Sequence, residues 1–336
     1  MPNYDYVLAK IHAIHSKSVV GDNFRRLREV QSIEKLHKEL FPEDVEPVMQ
    51  RKLYNRVEHL LKKRIYSNIS DVARFYNYKN QLVNNIIMIY EIDNIKIVLN
   101  SHLAGLKTIG DLPVLKRPDA IDYNFLYTSD VSDFRNISKL LRSTPFDFIL
   151  PFVQKKQDIY FIENELDKFY YKNIIDSLKL FSGEGKEQIL KILHEEINWL
   201  NIMWAFRTKI YYRKNFNDIQ DSFITDTGLI SPDMLKKIYE LQLIPNEVST
   251  IFKSYPKIYR ELIIGSFNDD GDIDLTALEE KISDKLSKLY TKYFYIGGNV
   301  LAIISFIYIK KNEYKNVVKL VESLRYNLPM KVGEAS

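Results

Sequence analysis

Asp93-Asn94-Ile95-Lys96-Ile97-Val98-Leu99 returns twice in related form, as Leu200-Asn201-Ile202-Met203-Trp204-Ala205-Phe206-Arg207 and as Lys315-Asn316-Val317-Val318-Lys319-Leu320-Val321. Each copy has an Asn, then a branched aliphatic residue, then an apolar residue five positions after the Asn. A second element stands upstream of each: Val57-Glu58-His59-Leu60, Ile162-Glu163-Asn164-Glu165-Leu166-Asp167 and Leu278-Glu279-Glu280-Lys281-Ile282-Ser283-Asp284. The intervals from Glu58, Glu163 and Glu279 to Asn94, Asn201 and Asn316 are 36, 38 and 37 residues. A third piece, Asn23-Phe24-Arg25, matches Asp133-Phe134-Arg135 at an offset of 110, with Asp233-Met234 a weaker equivalent. The chain therefore reads as three similar modules, 1–117, 118–226 and 227–336. Each is longer than the usual solenoid repeat of about 20–50 residues. Such modules either stack side by side or close around a pseudo-three-fold axis.

The periodicity is helical. Tyr4, Val7, Leu8, Ile11 and Ile14 recur at steps of three and four, which places them on one helix face. Asp22 reads as the cap of a helix beginning near Asn23, and Ser70 as the start of another running through Val72, Phe75 and Leu82 toward Ile87 and Tyr90. Residues 162–180 and 186–212 form two long stretches separated by Gly183-Glu184-Gly185. Ser231-Pro232-Asp233 is a helix start, with proline where a missing N–H costs nothing. Residues 274–294 and 300–326 are the last long stretches. Strand candidates are few: residues 158–162 and 262–267. With 11 Gly and 11 Pro in 336 residues, breakers are scarce and the expected fold class is all-α.

Composition narrows the function classes. Forty-eight basic and 44 acidic residues give a net charge of +4, too balanced for a nucleic-acid partner, which needs unopposed Lys and Arg. There is no cysteine, which excludes disulfides, thiolate metal sites and cysteine nucleophiles. The first residues show no basic start followed by an apolar run, so no signal peptide is expected. The longest apolar stretch, Val300 to Ile309, is about half the 20 residues that a spanning helix needs, so no transmembrane segment is expected.

Catalytic and ligand-binding patterns are incomplete. His12 and His15 are three apart with no completing carboxylate, and read as a solvated pair. His194-Glu195 lacks the second metalloprotease histidine, because Asn198 stands there. Gly183-Glu184-Gly185-Lys186 falls short of a phosphate loop, with Glu187 where Ser or Thr should hold magnesium. It reads as a helix–helix turn, and no direct nucleotide binding is expected. Residues 268–274 resemble a calcium loop, but Ser266 and Ala277 occupy its first and last ligand positions. No catalytic residue, cofactor or metal is expected. The repeated Asn has two readings: it bonds backbone at a helix junction while Ile95, Ile202 and Val317 point inward, or it meets a partner.

Tyr4-Asp5-Tyr6-Val7-Leu8-Ala9-Lys10-Ile11-His12-Ala13 resembles the opening of the C subunit of V/A-type ATPases, homologous to the d subunit of the vacuolar enzyme. Residues 163–171 are similar to a recurring helix of that family, and Glu313-Tyr314-Lys315-Asn316-Val317 to its Glu-x-Arg-Asn-aliphatic stretch. The resemblance covers essentially the whole chain. Val318 stands where many members carry Arg, while Lys96 keeps a basic residue in the first copy. Gly105 is at the family's usual place, and the other two copies lack that glycine.

The resemblance implies a funnel of three helical domains around a pseudo-three-fold axis. It implies a non-catalytic rotor part on the cytoplasmic face of a membrane, between the central-stalk subunits and the proteolipid ring, which transmits torque for proton or sodium transport. Such a coupler must be stiff, and packed helices are stiff. Arg207, Lys209 and Arg325, beside the repeat elements, are candidates to face stalk or ring, the other reading being solvated helix faces. The competing reading is a helical scaffold or adaptor outside any ATPase.

Overall fold

A computed structural model describes residues 4–75, 80–116, 120–183, 185–225 and 230–327. The described residues are helical, in chain order α1 (Tyr4–His15), α2 (Gly21–Leu27), α3 (Ile33–Leu40), α4 (Gln50–Phe75), α5 (Gln81–Leu103), α6 (Phe134–Leu141), α7 (Leu150–Gln154) and α8 (Ile159–Leu180). They continue as α9 (Lys186–Ile210), α10 (Phe216–Ile219), α11 (Pro232–Glu240), α12 (Pro245–Ile251), α13 (Lys257–Ile264), α14 (Leu275–Ile296) and α15 (Asn299–Tyr326). No strand occurs among the described residues. The expected module borders at 117/118 and 226/227 lie outside them, as does Glu184 of the glycine-rich turn.

Several boundaries differ from the sequence reading, each for a local reason. Ser70 does not start a helix. It lies inside α4, and its hydroxyl accepts the Lys116 N–H at 2.9 Å. The next helix starts eleven residues later, at Gln81, after a cap in which the Asn80 side chain accepts the Val83 N–H at 3.2 Å. Asp22 is not a cap but a first-turn residue of α2, paired with Arg25 at 2.6 Å. Residues 158–162 are not a strand but the start of α8. Residues 262–264 close α13, and beyond it Phe267 makes only an isolated bridge to Ile273. Both stretches are apolar and short, the case in which strand and buried helix share one pattern. Ser231 does cap α11, accepting the Met234 N–H at 3.2 Å, with Pro232 in the first turn.

The long helices are buried by two patterns. In α8, Ile162, Leu166, Tyr170, Ile174 and Leu178 form a single buried stripe at steps of four. In α5, burial extends around the helix, from Leu82 and Val83 through Ile92 to Leu99. The apolar run of α15 is likewise buried from Val300 to Ile307. No helix of the described residues is long and apolar enough to cross a membrane.

The chain gathers into two compact units, residues 1–184 with 290–335, and residues 185–289. In the first, α5 lies antiparallel to α8: Asn85 donates to the Asn173 carbonyl at one end (2.9 Å), and Asn100 to Glu163 at the other (2.8 Å). Helices α4 and α15 are antiparallel too, joined by Glu58–Arg325 at 3.2 Å and Arg64–Glu313 at 3.7 Å. Lys310 and Glu313 of α15 are 2% and 1% exposed and pair at 2.6 Å. Lys310 also donates to the Ser18 hydroxyl at 2.6 Å, and Glu313 accepts the Val19 N–H at 2.9 Å. This buried pair therefore pins the chain between α1 and α2 onto α15.

In the second unit α9 and α14 are antiparallel, tied by Glu195–Lys285 at 2.8 Å and Arg207–Glu279 at 2.7 Å. Trp199 stacks on Tyr259 with centroids 4.5 Å apart, and the Lys285 ammonium lies 5.5 Å and 5.2 Å from the two ring centroids. The Tyr259 hydroxyl donates to Glu195 and accepts from Asn198, both at 3.0 Å.

Of His12 and His15, read from their spacing as a solvated pair, His12 is exposed and His15 half-buried. Both rings lie against Phe294, at 4.4 and 4.5 Å, and His15 Nε2 is 3.1 Å from the Tyr295 hydroxyl. Burial lowers the pKa of His15, reinforced by the charges of Lys310 and His12 and opposed by Glu313. The unfolded chain therefore binds more protons near and below pH of about 6.5, so stability falls as pH falls through that window. Replacing His15 with Gln should flatten this slope between about pH 7 and about pH 5. Urea unfolding midpoints across that range measure it, and an unchanged slope would refute the assignment.

Candidate functional site

The repeated asparagines of α5 and α9 are core residues that act on backbone. Asn94 is 0% exposed. Its amide nitrogen donates to the Pro113 carbonyl at 2.8 Å, and its oxygen accepts from Lys62 and Tyr66, both at 3.2 Å. Asn201 is 2% exposed and meets one residue with both groups, donating to the Ile224 carbonyl at 2.8 Å and accepting the Ile224 N–H at 3.0 Å. In each case a buried amide fastens the segment that follows its helix. Asn316 of α15 is half-buried, and the stretch at the corresponding interval after it lies outside the described residues. Ile95, Ile202 and Val317, which follow the three asparagines, are each 0% exposed.

The upstream glutamates pair across helices in a consistent order. Glu163 of α8 accepts from Asn100 of α5, six residues after Asn94. Glu279 of α14 pairs with Arg207 of α9, six residues after Asn201. Glu58 of α4 pairs with Arg325 of α15, nine residues after Asn316; Arg325 also donates to Asn55 at 2.8 Å and lies over the Tyr54 ring. Each glutamate thus meets the Asn-bearing helix of the copy before it, and the first copy's glutamate meets the helix of the last.

Lys96 reinforces the first of these contacts by pairing with Asp167 at 2.7 Å, with side chains only 20% and 22% exposed. Burial works against the Lys96 charge, but the Asp167 charge and hydrogen bond outweigh it and hold its pKa above the usual lysine value. Burial raises the Glu58 carboxyl, against the pull of Arg325. Lys62 is held below the ordinary lysine value by burial.

Of the three cations proposed to face a partner, each has an internal partner. Arg207 and Arg325 hold Glu279 and Glu58. Lys209 donates to the carbonyls of Ile238, Tyr239 and Leu241, so it satisfies the orphan acceptors at the end of α11. Sequence reading flagged the glutamates, the asparagines and Lys96 but not the partners Asn100, Asp167, Pro113 and Ile224. Asp167 had a legible signal: it stands one helical turn after Glu163, on the same face. Pro113 and Ile224 had none, because they contribute backbone groups. Among the described residues, no three His, Asp or Glu side chains converge as metal ligands.

The arrangement is a set of inter-helix fasteners rather than a reactive centre, and comparison with known proteins agrees. The family model described as ATP synthase (C/AC39) subunit matches residues 7–332. The chain belongs to this family. It is similar to the C subunit of the A-type ATP synthase of Methanosarcina barkeri, at 22% identity over 330 residues, covering 94% of this chain and 87% of the relative. It is also similar to the protein of that name from Methanococcoides burtonii, at 24% over 339 residues, covering 97% and 91%. Family membership makes the chain a subunit of a rotary ATPase, a part of an assembly and not an enzyme in its own right.

Two measurements separate the strong fasteners from the weak. Asn201→Ala leaves the buried N–H and carbonyl of Ile224 unpaired and should cost about 2–3 kcal/mol, with faster amide exchange at Ile224. A double-mutant cycle on Arg207 and Glu279, which are 41% and 44% exposed, should give no more than about 1 kcal/mol, and one on Lys96 and Asp167 a larger coupling. The reverse ranking would overturn this description.

Proposed function

We propose that the chain is the non-catalytic rotor subunit that joins the central stalk of a V/A-type ATPase to its proteolipid ring, on the cytoplasmic face of the membrane, and carries torque between them. The observation that carries this reading is the family match across residues 7–332. The helices supply a physical reason to favour it. A torque coupler is loaded along and across its helices, and it must not let one slide past another. Antiparallel pairs held by buried amides and charge pairs along their length resist that motion better than apolar contact alone.

The proposal includes three modules, 1–117, 118–226 and 227–336. Its support is the positional match of the fasteners: Asn94 with Asn201, and the Glu163, Glu279 and Glu58 contacts, each reaching the Asn-bearing helix of the preceding copy.

The chain contains no cysteine, so engineered cysteines can be addressed singly. A cross-link from this chain to a ring subunit should leave ATP hydrolysis and ion transport coupled, because the two parts turn together. A cross-link to a peripheral stator subunit should stop turnover, lowering it at least about tenfold, and reduction should restore it. Turnover that survives the stator cross-link, or failure to purify with stalk and ring at all, would remove the rotor assignment.

A further inference from the structure

A cleft of about 640 Å³ opens beside α6, lined by Phe134, Arg135, Ser138, Lys139, Arg142 and Ser143. The lining holds three cations, two hydroxyls and no carboxylate. Arg135, Ser138, Lys139 and Arg142 stand at i, i+3, i+4 and i+7, a single stripe along the helix and the residue that ends it. Arg135 is engaged by its neighbour: its guanidinium bonds Asp133, the residue that caps α6 through the Arg135 N–H. Lys139 and Arg142 are exposed and pair with no carboxylate among the described residues, although Lys139 lies 4.7 Å above the Phe125 ring. The opposite face of α6, Ile137, Leu140 and Leu141, is spent on the core.

We propose that this cleft seats an acidic amphipathic helix of another protein, with carboxylates at i and i+3 or i+4 set against Lys139 and Arg142. These two cations stand three residues apart, about one turn, which matches that spacing on a partner helix. A membrane surface is the poorer fit, because a helix that lies on lipid keeps an apolar face free to enter it, and the apolar face of α6 is already buried. The proposal goes beyond the rotor assignment and does not depend on it.

The test uses the isolated chain and a fluorescein-labelled helical peptide with Glu at i, i+3, i+4 and i+7, beside a twin with Lys at those places. The Glu peptide should bind and the Lys peptide should not. Lys139→Glu and Arg142→Glu should each weaken binding about tenfold, while helix content and thermal midpoint stay unchanged. Raising salt from about 50 to about 300 mM should weaken it by a similar factor. Equal affinity for both peptides, binding indifferent to both reversals, or tighter binding to phosphatidylglycerol vesicles would overturn the proposal. No binding by the Glu peptide would also overturn it. Since no other subunit is present, failure here leaves the rotor assignment intact.

Discussion

Two long helices held only by apolar contacts resist separation more than they resist sliding, because the hydrophobic effect is non-directional. Directional groups set the register. In this chain they are buried amides and charge pairs: Asn94 on Pro113, Asn201 on Ile224, Lys96 on Asp167, Glu195 on Lys285. A shift of one turn, about 5.4 Å, would break the two charge pairs while leaving much apolar area covered, and the two amides fix the segments that follow their helices. The interaction on which the rest depends is therefore the buried side-chain amide that behaves like a peptide group. Asn201 shows it most fully, since it offers Ile224 both a donor and an acceptor.

The same logic explains charge inside the first unit. Lys310 and Glu313 are nearly inaccessible, and a hydrophobic pair of similar volume at such positions is often no less stable. What a hydrophobic pair would not do is bond Ser18 and Val19. The two ions hold the junction of α1 and α2 at one place on α15, so they specify an arrangement rather than add net stability.

The fold class and the long helices were legible because they rest on periodicity and on a repeat, both properties of the residue order. The stripe from Ile162 to Leu178 and the start at Ser231 follow from it directly. Single-residue cap assignments were less secure. Ser70 and Asp22 have the right chemistry for caps, but a serine or aspartate inside a helix is read the same way until its partner is known. The segments 158–162 and 262–267 failed as strands because a few apolar residues in a row carry no period. At the repeat elements, identity was legible and partnership was not. Glu163, Glu279 and Glu58 stood out, whereas the residues they bond lie 63 to 267 positions away, set by how helices distant in sequence pack. For Arg207 and Lys209 the charge was legible, and the internal partners, Glu279 and the end of α11, were not.

The aromatic stack of the second unit also decides what the molecule's fluorescence reports. The chain contains two tryptophans, and both are on α9, Trp199 beneath Lys285 and Trp204 one turn further on. All indole emission therefore originates in residues 185–289, and the other unit is optically silent at those wavelengths. Nature has in effect placed a built-in dye on one part of the molecule, so melting seen by indole fluorescence and melting seen by backbone dichroism follow different populations. Any divergence of the two curves is a direct readout of how independently the two parts come undone.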